Sequence, residues 1–114
     1  MDIKYLEIVT PDADAVCATL AAVNQVTFSE PVPVLGNART ADLSDGGRVG
    51  VRAPMHDQEE PTTRTYWLVD DIDAALATAV ENGAEVAVPV MEIPGQGTFA
   101  IYFQGGTQHG LWKR

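Results

Sequence analysis

The side chains that could act as nucleophiles or metal ligands are few in this chain and widely spaced. It has one cysteine, Cys17, and two histidines, His56 and His109. Cys17 lies on the apolar side of a predicted helix, where a free cysteine usually packs as a small hydrophobic residue. Neither Ser29 nor Ser44 lies in the glycine-flanked turn that exposes a serine nucleophile. The sequence therefore predicts neither cysteine nor serine catalysis.

The composition limits the kind of protein that could position a site. The 114 residues allow one compact domain, and 46% apolar with 20% charged residues is typical of a globular protein. Sixteen acidic against seven basic residues give a net charge of −9, which argues against binding nucleic acid or an anionic membrane surface. No apolar run could span a bilayer, no secretory signal precedes the first strand, and one cysteine forms no internal disulfide. We therefore expect a cytoplasmic protein.

Signals for strands and helices occur in the same order in both halves of the chain. Strands are predicted at 3–9, 39–43, 48–51, 65–69, 85–90, 98–103 and 109–112. One helix is predicted from an Asp12 cap to about Asn24, and a second from an Asp70 or Asp71 cap to Gly83. Two prolines, at 31 and 33, indicate an edge or irregular strand between the first helix and the strand at 39–43.

The repeated order predicts two modules within one domain. The polar, acidic stretch 55–63 contains a proline and is the best linker in the chain. We expect a single domain over 1–114, with one module at about 1–54, a linker at about 55–63 and a second module at about 64–114.

Several runs resemble the vicinal oxygen chelate superfamily, which includes glyoxalases, bleomycin resistance proteins and extradiol dioxygenases. The resemblance lies in YLEIVTPD at 5–12, WLVDDIDAA at 67–75, IPGQGTFA at 93–100 and GLW at 110–112. It implies an α+β fold of two tandem βαβββ modules. Their eight strands would form an open curved sheet, a half-barrel around a cavity, with the helices on the convex side.

The positions of the family's ligand-binding side chains imply which residues of this chain face that cavity. The expected ligand-binding residues are Tyr5, Glu7, Arg64, Tyr66, Tyr102 and Trp112. Tyr102 belongs to this set only if Phe99, Ile101 and Phe103 form the core face of their strand. Aromatic rings with a few polar groups are typical of a small-molecule site. Alternatively, the rings only fill the cavity and Glu7 pairs with Arg64.

The resemblance also implies where a divalent metal ion would bind, and this chain lacks the ligands there. The family's ligand positions correspond to Tyr5, Gly50, Arg64 and Gly110. Glycine offers no side chain, a neutral tyrosine is a poor ligand and an arginine repels a cation. A site of His109, Glu7 and another carboxylate is the alternative. We expect no metal ion and no other cofactor.

Three functions are compatible with these residues. The first is a metal-free, glyoxalase-like homodimer that binds a small molecule in the cavity of the sheet. The second is an acidic dimer that sequesters a cationic drug, as bleomycin resistance proteins do. The third is a metal-independent lyase or isomerase with Glu7 as general base, although a neighbouring Arg64 favours binding over base chemistry.

Overall fold

The computed structural model describes residues 1–114, and its elements follow the predicted order. The strands are β1 (Asp2–Val9), β2 (Arg39–Asp42), β3 (Arg48–Arg52), β4 (Thr62–Val69), β5 (Glu85–Ile93), β6 (Gly97–Gln104) and β7 (Thr107–Lys113). The helices are α1 (Ala13–Asn24) and α2 (Ile72–Glu81). Neither helix is long and apolar enough to cross a membrane. The α+β class is confirmed.

The chain divides into two compact units. One contains residues 5–63, and the other contains residues 64–114 together with residues 1–4. We call them the N-terminal unit and the C-terminal unit. The residues predicted as a linker, 55–63, group with the N-terminal unit.

The N-terminal unit has its strands in the order β2-β3-β1. β1 runs parallel to β3, with Glu7 opposite Gly50, and β2 is antiparallel to β3. Apolar side chains on one face of these strands pack against α1 around the buried Cys17. The buried members of this core are Cys17, Phe28, Ala41, Val49 and Val51. Parallel pairing requires a crossover connection, which α1 supplies.

The segment between α1 and β2 does not form a regular strand, so the chain has seven strands and the expected eight is wrong. Val32 and Ala38 form an isolated bridge, and a short 3-10 helix covers Pro33–Leu35. Beside β2, the Ser29 N–H donates to the Thr40 carbonyl oxygen, at 2.7 Å. The prolines explain the difference, because proline has no N–H to donate to a strand ladder.

The C-terminal unit has its strands in the order β4-β7-β6-β5. β4 and β7 are parallel, with Tyr66 opposite Gly110, and the other pairs are antiparallel. α2 packs on one face of these strands, where Ile72, Ala100 and Leu111 form a buried core. Gly105 and Gly106 both have positive φ, as a two-residue hairpin turn between β6 and β7 requires.

The two helices begin differently. The Asp71 carboxylate accepts a hydrogen bond from the Ala74 N–H at 3.0 Å and caps α2, as predicted. Asp12 occupies the same position before α1, but its side chain makes no capping hydrogen bond. Its own N–H donates to the Thr10 hydroxyl oxygen at 3.1 Å. Gly83 has a φ of 97° and follows Asn82, the C-cap of α2, in agreement with its predicted role in ending the helix.

Candidate functional site

Alternation along β1 and β4 separates the helix-facing side chains from the candidate site residues. Leu6 and Ile8 pack against the core beneath α1, and Trp67 and Val69 pack against the core beneath α2. These four orientations are confirmed. Because neighbouring residues of a strand point to opposite faces, Tyr5, Glu7, Arg64 and Tyr66 lie on the faces turned away from the helices. This list contains four of the six predicted site residues.

In the N-terminal unit, the Tyr5 hydroxyl lies directly above Gly50. A Cβ atom at Gly50 would overlap the Tyr5 side chain, so the ring occupies the space that a side chain at this position would need. Tyr5 is 4% exposed. Burial, reinforced by the nearby Glu7 carboxylate, raises the pKa of Tyr5 to about 12. The phenol is therefore neutral at physiological pH.

Arg52 joins two carboxylates on the same face of the N-terminal unit. Its Nε donates to Glu7 Oε2 at 2.9 Å, while Nη1 and Nη2 donate to the two oxygens of Glu59 at 2.8 and 2.7 Å. Glu59 Oε1 also accepts from the Met55 N–H, at 2.7 Å. The Arg52 side chain is 5% exposed and that of Glu7 is 9% exposed. This buried cluster connects β1 and β3 to the loop that follows β3.

The hydrogen bonds of this cluster favour the charged forms of Arg52 and Glu59. The hydrogen bond from Arg52 lowers the pKa of Glu59 to about 2. The hydrogen bond to Glu59 in turn raises the pKa of Arg52, against the opposing effect of burial. Sequence reasoning missed Arg52 and Glu59. A signal for Arg52 existed, because it lies two residues after Gly50 on the same strand and so shares its face.

In the C-terminal unit, three aromatic rings meet on the face opposite α2. The Tyr66 ring lies edge-on to Trp112 with centroids 5.7 Å apart, and to Phe99 with centroids 6.2 Å apart. Pairing Phe99 with Trp112 across β6 and β7 places Ile101 and Phe103 on this side. Met91 pairs with Phe99 and joins them. We call these six residues, Tyr66, Met91, Phe99, Ile101, Phe103 and Trp112, the aromatic face.

The aromatic face has a polar end and an exposed border. The Arg64 Nε donates to Gln108 Oε1 at 2.9 Å, and Gln108 lies opposite Phe103. Arg64, Tyr66 and Trp112 are all more than nine-tenths buried. In contrast, Met91 and Phe103 are 50% and 42% exposed. The face thus offers apolar surface to solvent beside a buried guanidinium.

Tyr102 lies on the other side of β6, so its predicted place beside Tyr66 and Trp112 is wrong. It packs against the core beneath α2, and its ring stacks on His109 with centroids 5.0 Å apart. His109 Nε2 in turn shares a 2.8 Å hydrogen bond with the Thr107 hydroxyl. The register of β6 with β7 explains this placement, because it pairs Tyr102 with His109 and Phe99 with Trp112.

The residues at the family's metal positions do not fit a divalent ion. Tyr5 is a neutral phenol, and its ring fills the space above Gly50. The Tyr66 ring fills the space above Gly110 in the same way, and Arg64 supplies a cation. Furthermore, no group of three or more His, Cys, Asp or Glu side chains is arranged to hold a metal ion. We therefore derive no chemistry through a metal ion.

An open cleft of about 840 Å³ lies in the N-terminal unit beside the start of α1. Arg39, Arg52, Asp14 and Met55 are among its lining residues. Three of its four charged side chains are in ion pairs: Arg39 donates to Asp14 at 3.1 Å, and Arg52 is held by Glu7 and Glu59, whereas Asp12 is the fourth. The cleft thus presents largely neutralised charges.

Solved structures share this arrangement of elements, whereas no protein-family model and no curated protein matches the sequence. A hypothetical protein from Bacillus halodurans has a TM-score of 0.78 at 10% identity, over 99% of this chain and 94% of the other. Methylmalonyl-CoA epimerase from Mycobacterium tuberculosis has a TM-score of 0.74 at 13% identity, over 97% and 86%. This chain has the vicinal oxygen chelate fold.

A third neighbour was determined with a ligand bound. It is a variant of the Streptomyces coelicolor methylmalonyl-CoA epimerase in complex with 2-nitronate-propionyl-CoA. Its TM-score is 0.70 at 18% identity, over 99% of this chain and 94% of that protein. These similarities establish the fold that the sequence runs predicted. The fold alone does not assign an activity, because one fold supports many chemistries.

Proposed function

We propose that the protein binds a small molecule on the aromatic face and does so without a divalent metal ion. One observation carries the proposal: a cluster of aromatic rings lies on the strand face opposite α2, with Met91 and Phe103 exposed at its border. Aromatic and apolar side chains with a few polar groups are the usual lining of a small-molecule site, and exposed apolar patches mark interaction sites. Arg64 and Gln108 are the polar groups here.

The proposed contact residues follow from the placement of each side chain. Tyr66 and Trp112 would contact the ligand through their rings, and Arg64 would orient a polar group of the ligand. Tyr5 and Glu7 lie in the N-terminal unit and are proposed as ligand-binding residues of that unit. Tyr102 is left out, because it packs beneath α2.

The net charge narrows the class of ligand. At −9, the chain repels anions at long range and attracts cations, to an extent that salt reduces. A coenzyme A derivative carries several phosphate charges, so the ligand type found in the epimerase complex is disfavoured here. We therefore propose an uncharged or cationic aromatic ligand. A cationic drug is one such compound, and drug sequestration by a cytoplasmic homodimer is the more specific form of this proposal.

An isomerase that uses Glu7 as general base has less support. A base needs a carboxylate that can approach a substrate proton, whereas Glu7 Oε2 already accepts a 2.9 Å hydrogen bond from Arg52. Both side chains are more than nine-tenths buried. This pairing disfavours the Glu7 carboxylate as a general base.

The two tryptophans provide a matched test, because they lie on opposite faces of the C-terminal unit. Trp67 packs beneath α2 and Trp112 belongs to the aromatic face. A thermal-shift screen with bleomycin, small aromatic amines and methylmalonyl-CoA would first select compounds that raise the melting temperature. We expect a selected compound to quench fluorescence in Trp67→Phe, which keeps Trp112, and to leave Trp112→Phe unquenched.

Two results would contradict the proposal. Quenching of Trp67 alone would place the ligand away from the aromatic face. A stoichiometric Ni²⁺, Co²⁺ or Zn²⁺ ion that stabilises the protein, with the gain reversed by EDTA, would exclude metal independence.

A further inference from the structure

A second cavity lies in the N-terminal unit, on the helix-facing side of its strands. It has a volume of about 530 Å³, within the range of small-molecule pockets. We call it the α1 groove, and its lining residues are Leu6, Ile8, Leu20, Asn24, Val26, Phe28, Ala41, Asp42, Leu43, Ser44 and Val49. Eight of these eleven residues are apolar, and none is basic.

Comparison of the two units identifies a position beside this cavity where the N-terminal unit has the smaller residue. Ile8 pairs with Val51, one step after the pair Glu7 and Gly50. In the C-terminal unit, Tyr66 and Gly110 form the pair that corresponds to Glu7 and Gly50, and the next pair along the strands is Trp67 with Leu111. The C-terminal unit therefore has a larger residue at both positions of the pair. Of the two smaller residues, Ile8 lines the α1 groove, and it occupies less of this space than an indole would.

Several apolar side chains around this space remain partly in contact with solvent. Leu6, Ile8, Leu20 and Leu43 are only partly buried, although all four pack against the core of the unit. Val26, at 36% exposure, lies on the rim. Removing such apolar surface from water is favourable by about 25 cal/mol per Å². A ligand that covers these side chains would thus gain hydrophobic free energy.

We propose that the α1 groove binds a small, uncharged, apolar molecule, at a site separate from the aromatic face. Charge decides the class of occupant: no basic side chain lines the groove and the chain carries −9, so a carboxylate or phosphate head group would lack a partner. Asp42 is the register partner of Arg48 on the neighbouring strand. It follows Ala41, which faces the core, so the Asp42 side chain points to the opposite face of β2. Asn24 and Ser44 are the other polar residues of the lining, and each could form a hydrogen bond with a hydroxyl or carbonyl group of the ligand.

The test uses a neutral fluorescent probe, N-phenyl-1-naphthylamine, with the full chain. We expect saturable binding of one probe per chain, displaced by 1-octanol and not by octanoate at the same concentration. Ile8→Trp fills the groove with the residue found at the matching position of the other unit. Val26→Trp fills it from the rim, where a larger side chain is accommodated more easily. Each variant should weaken probe binding about tenfold or more.

The matched control is Val80→Trp. Val80 lies on α2 in the C-terminal unit and is 47% exposed, so this variant adds the same indole away from the groove. Probe affinity should stay unchanged. Amide chemical shifts in labelled protein should move at Val26 and Leu43 and not at Phe99 or Trp112.

Three outcomes would overturn the proposal. Shifts confined to Phe99 and Trp112 would mean that the probe binds the aromatic face, which would leave the first site standing and remove the second. Equal displacement by octanoate would contradict the charge argument. A change of sedimentation coefficient in Val26→Trp would show that a second copy of the chain covers the groove.

Discussion

Arg52 shows how one buried residue can hold a loop against a sheet. Its guanidinium is shared by Glu7 and Glu59, and Glu59 also accepts the Met55 N–H. Removing one member of a buried ion cluster typically costs about 3–5 kcal/mol, because a charge is left without its partner. Glu59 can be tested most directly, since its side chain is the most exposed of the three, at 18%.

The lowered pKa of Glu59 predicts how stability depends on pH. A carboxyl whose pKa is about 2 when folded and near 4.5 when unfolded stabilises the fold above pH 4.5. This stabilisation is lost as the pH falls from 4.5 toward 2. We therefore expect Glu59→Gln to be less stable than wild type at pH 7 and equally stable near pH 2. Urea unfolding across this range measures the difference, with the exposed Glu60→Gln as control. A stability difference that does not depend on pH would contradict the role of the ionised carboxylate.

At the scale of elements, the two helices allow one interaction to be separated from another. Asp71 and Asp12 both precede a helix, and only Asp71 accepts a capping hydrogen bond. Asp71→Ala should therefore lower the free energy of unfolding by about 1 kcal/mol. Asp12→Ala should cost only a few tenths, since it removes a charge near the helix dipole and no hydrogen bond. Urea unfolding of both variants tests this expectation, and equal losses would contradict it.

The sequence predicted those elements whose determinants are local. Alternation placed Leu6 and Trp67 on their helices, and the position of Gly83 after an apolar periodicity marked the end of α2. The face of β6 was harder, because both of its sides are apolar: Ala100 packs beneath α2 and Ile101 is buried on the aromatic face. Periodicity alone cannot decide between two such sides, and the pairing with β7 does.

The candidate site depended on contacts that are distant in sequence. The partner of Glu7 is Arg52, 45 residues away, and Glu59 lies in a loop without a periodic pattern. Burial of these charges follows from the packing of that loop. Strand alternation places Arg52 on the same face as Gly50, whereas no local signal identifies Glu59. The predicted pairing of Glu7 with Arg64 stays a prediction.

At the scale of the whole molecule, the proposed homodimer gives a direct measurement. Symmetric dimers are the commonest assemblies of small soluble proteins, and exposed apolar residues such as Met91 and Phe103 are typical of contact surfaces. Sedimentation equilibrium at micromolar concentration should return twice the 12.2 kDa mass of one chain. If sedimentation equilibrium gave the mass of one chain at every concentration, the proposed homodimer would be wrong.

The close contacts above Gly50 and Gly110 also constrain how the sequence could change over time. A carboxylate at position 110 needs a Cβ atom where the Tyr66 ring now lies, and position 50 meets the same obstacle in Tyr5. Overpacking of this kind commonly costs about 1–3 kcal/mol. Gly110→Glu is therefore disfavoured until Tyr66 has become smaller, so the order of substitutions matters. A lineage or a designer adding a metal ligand here would have to replace the tyrosine first.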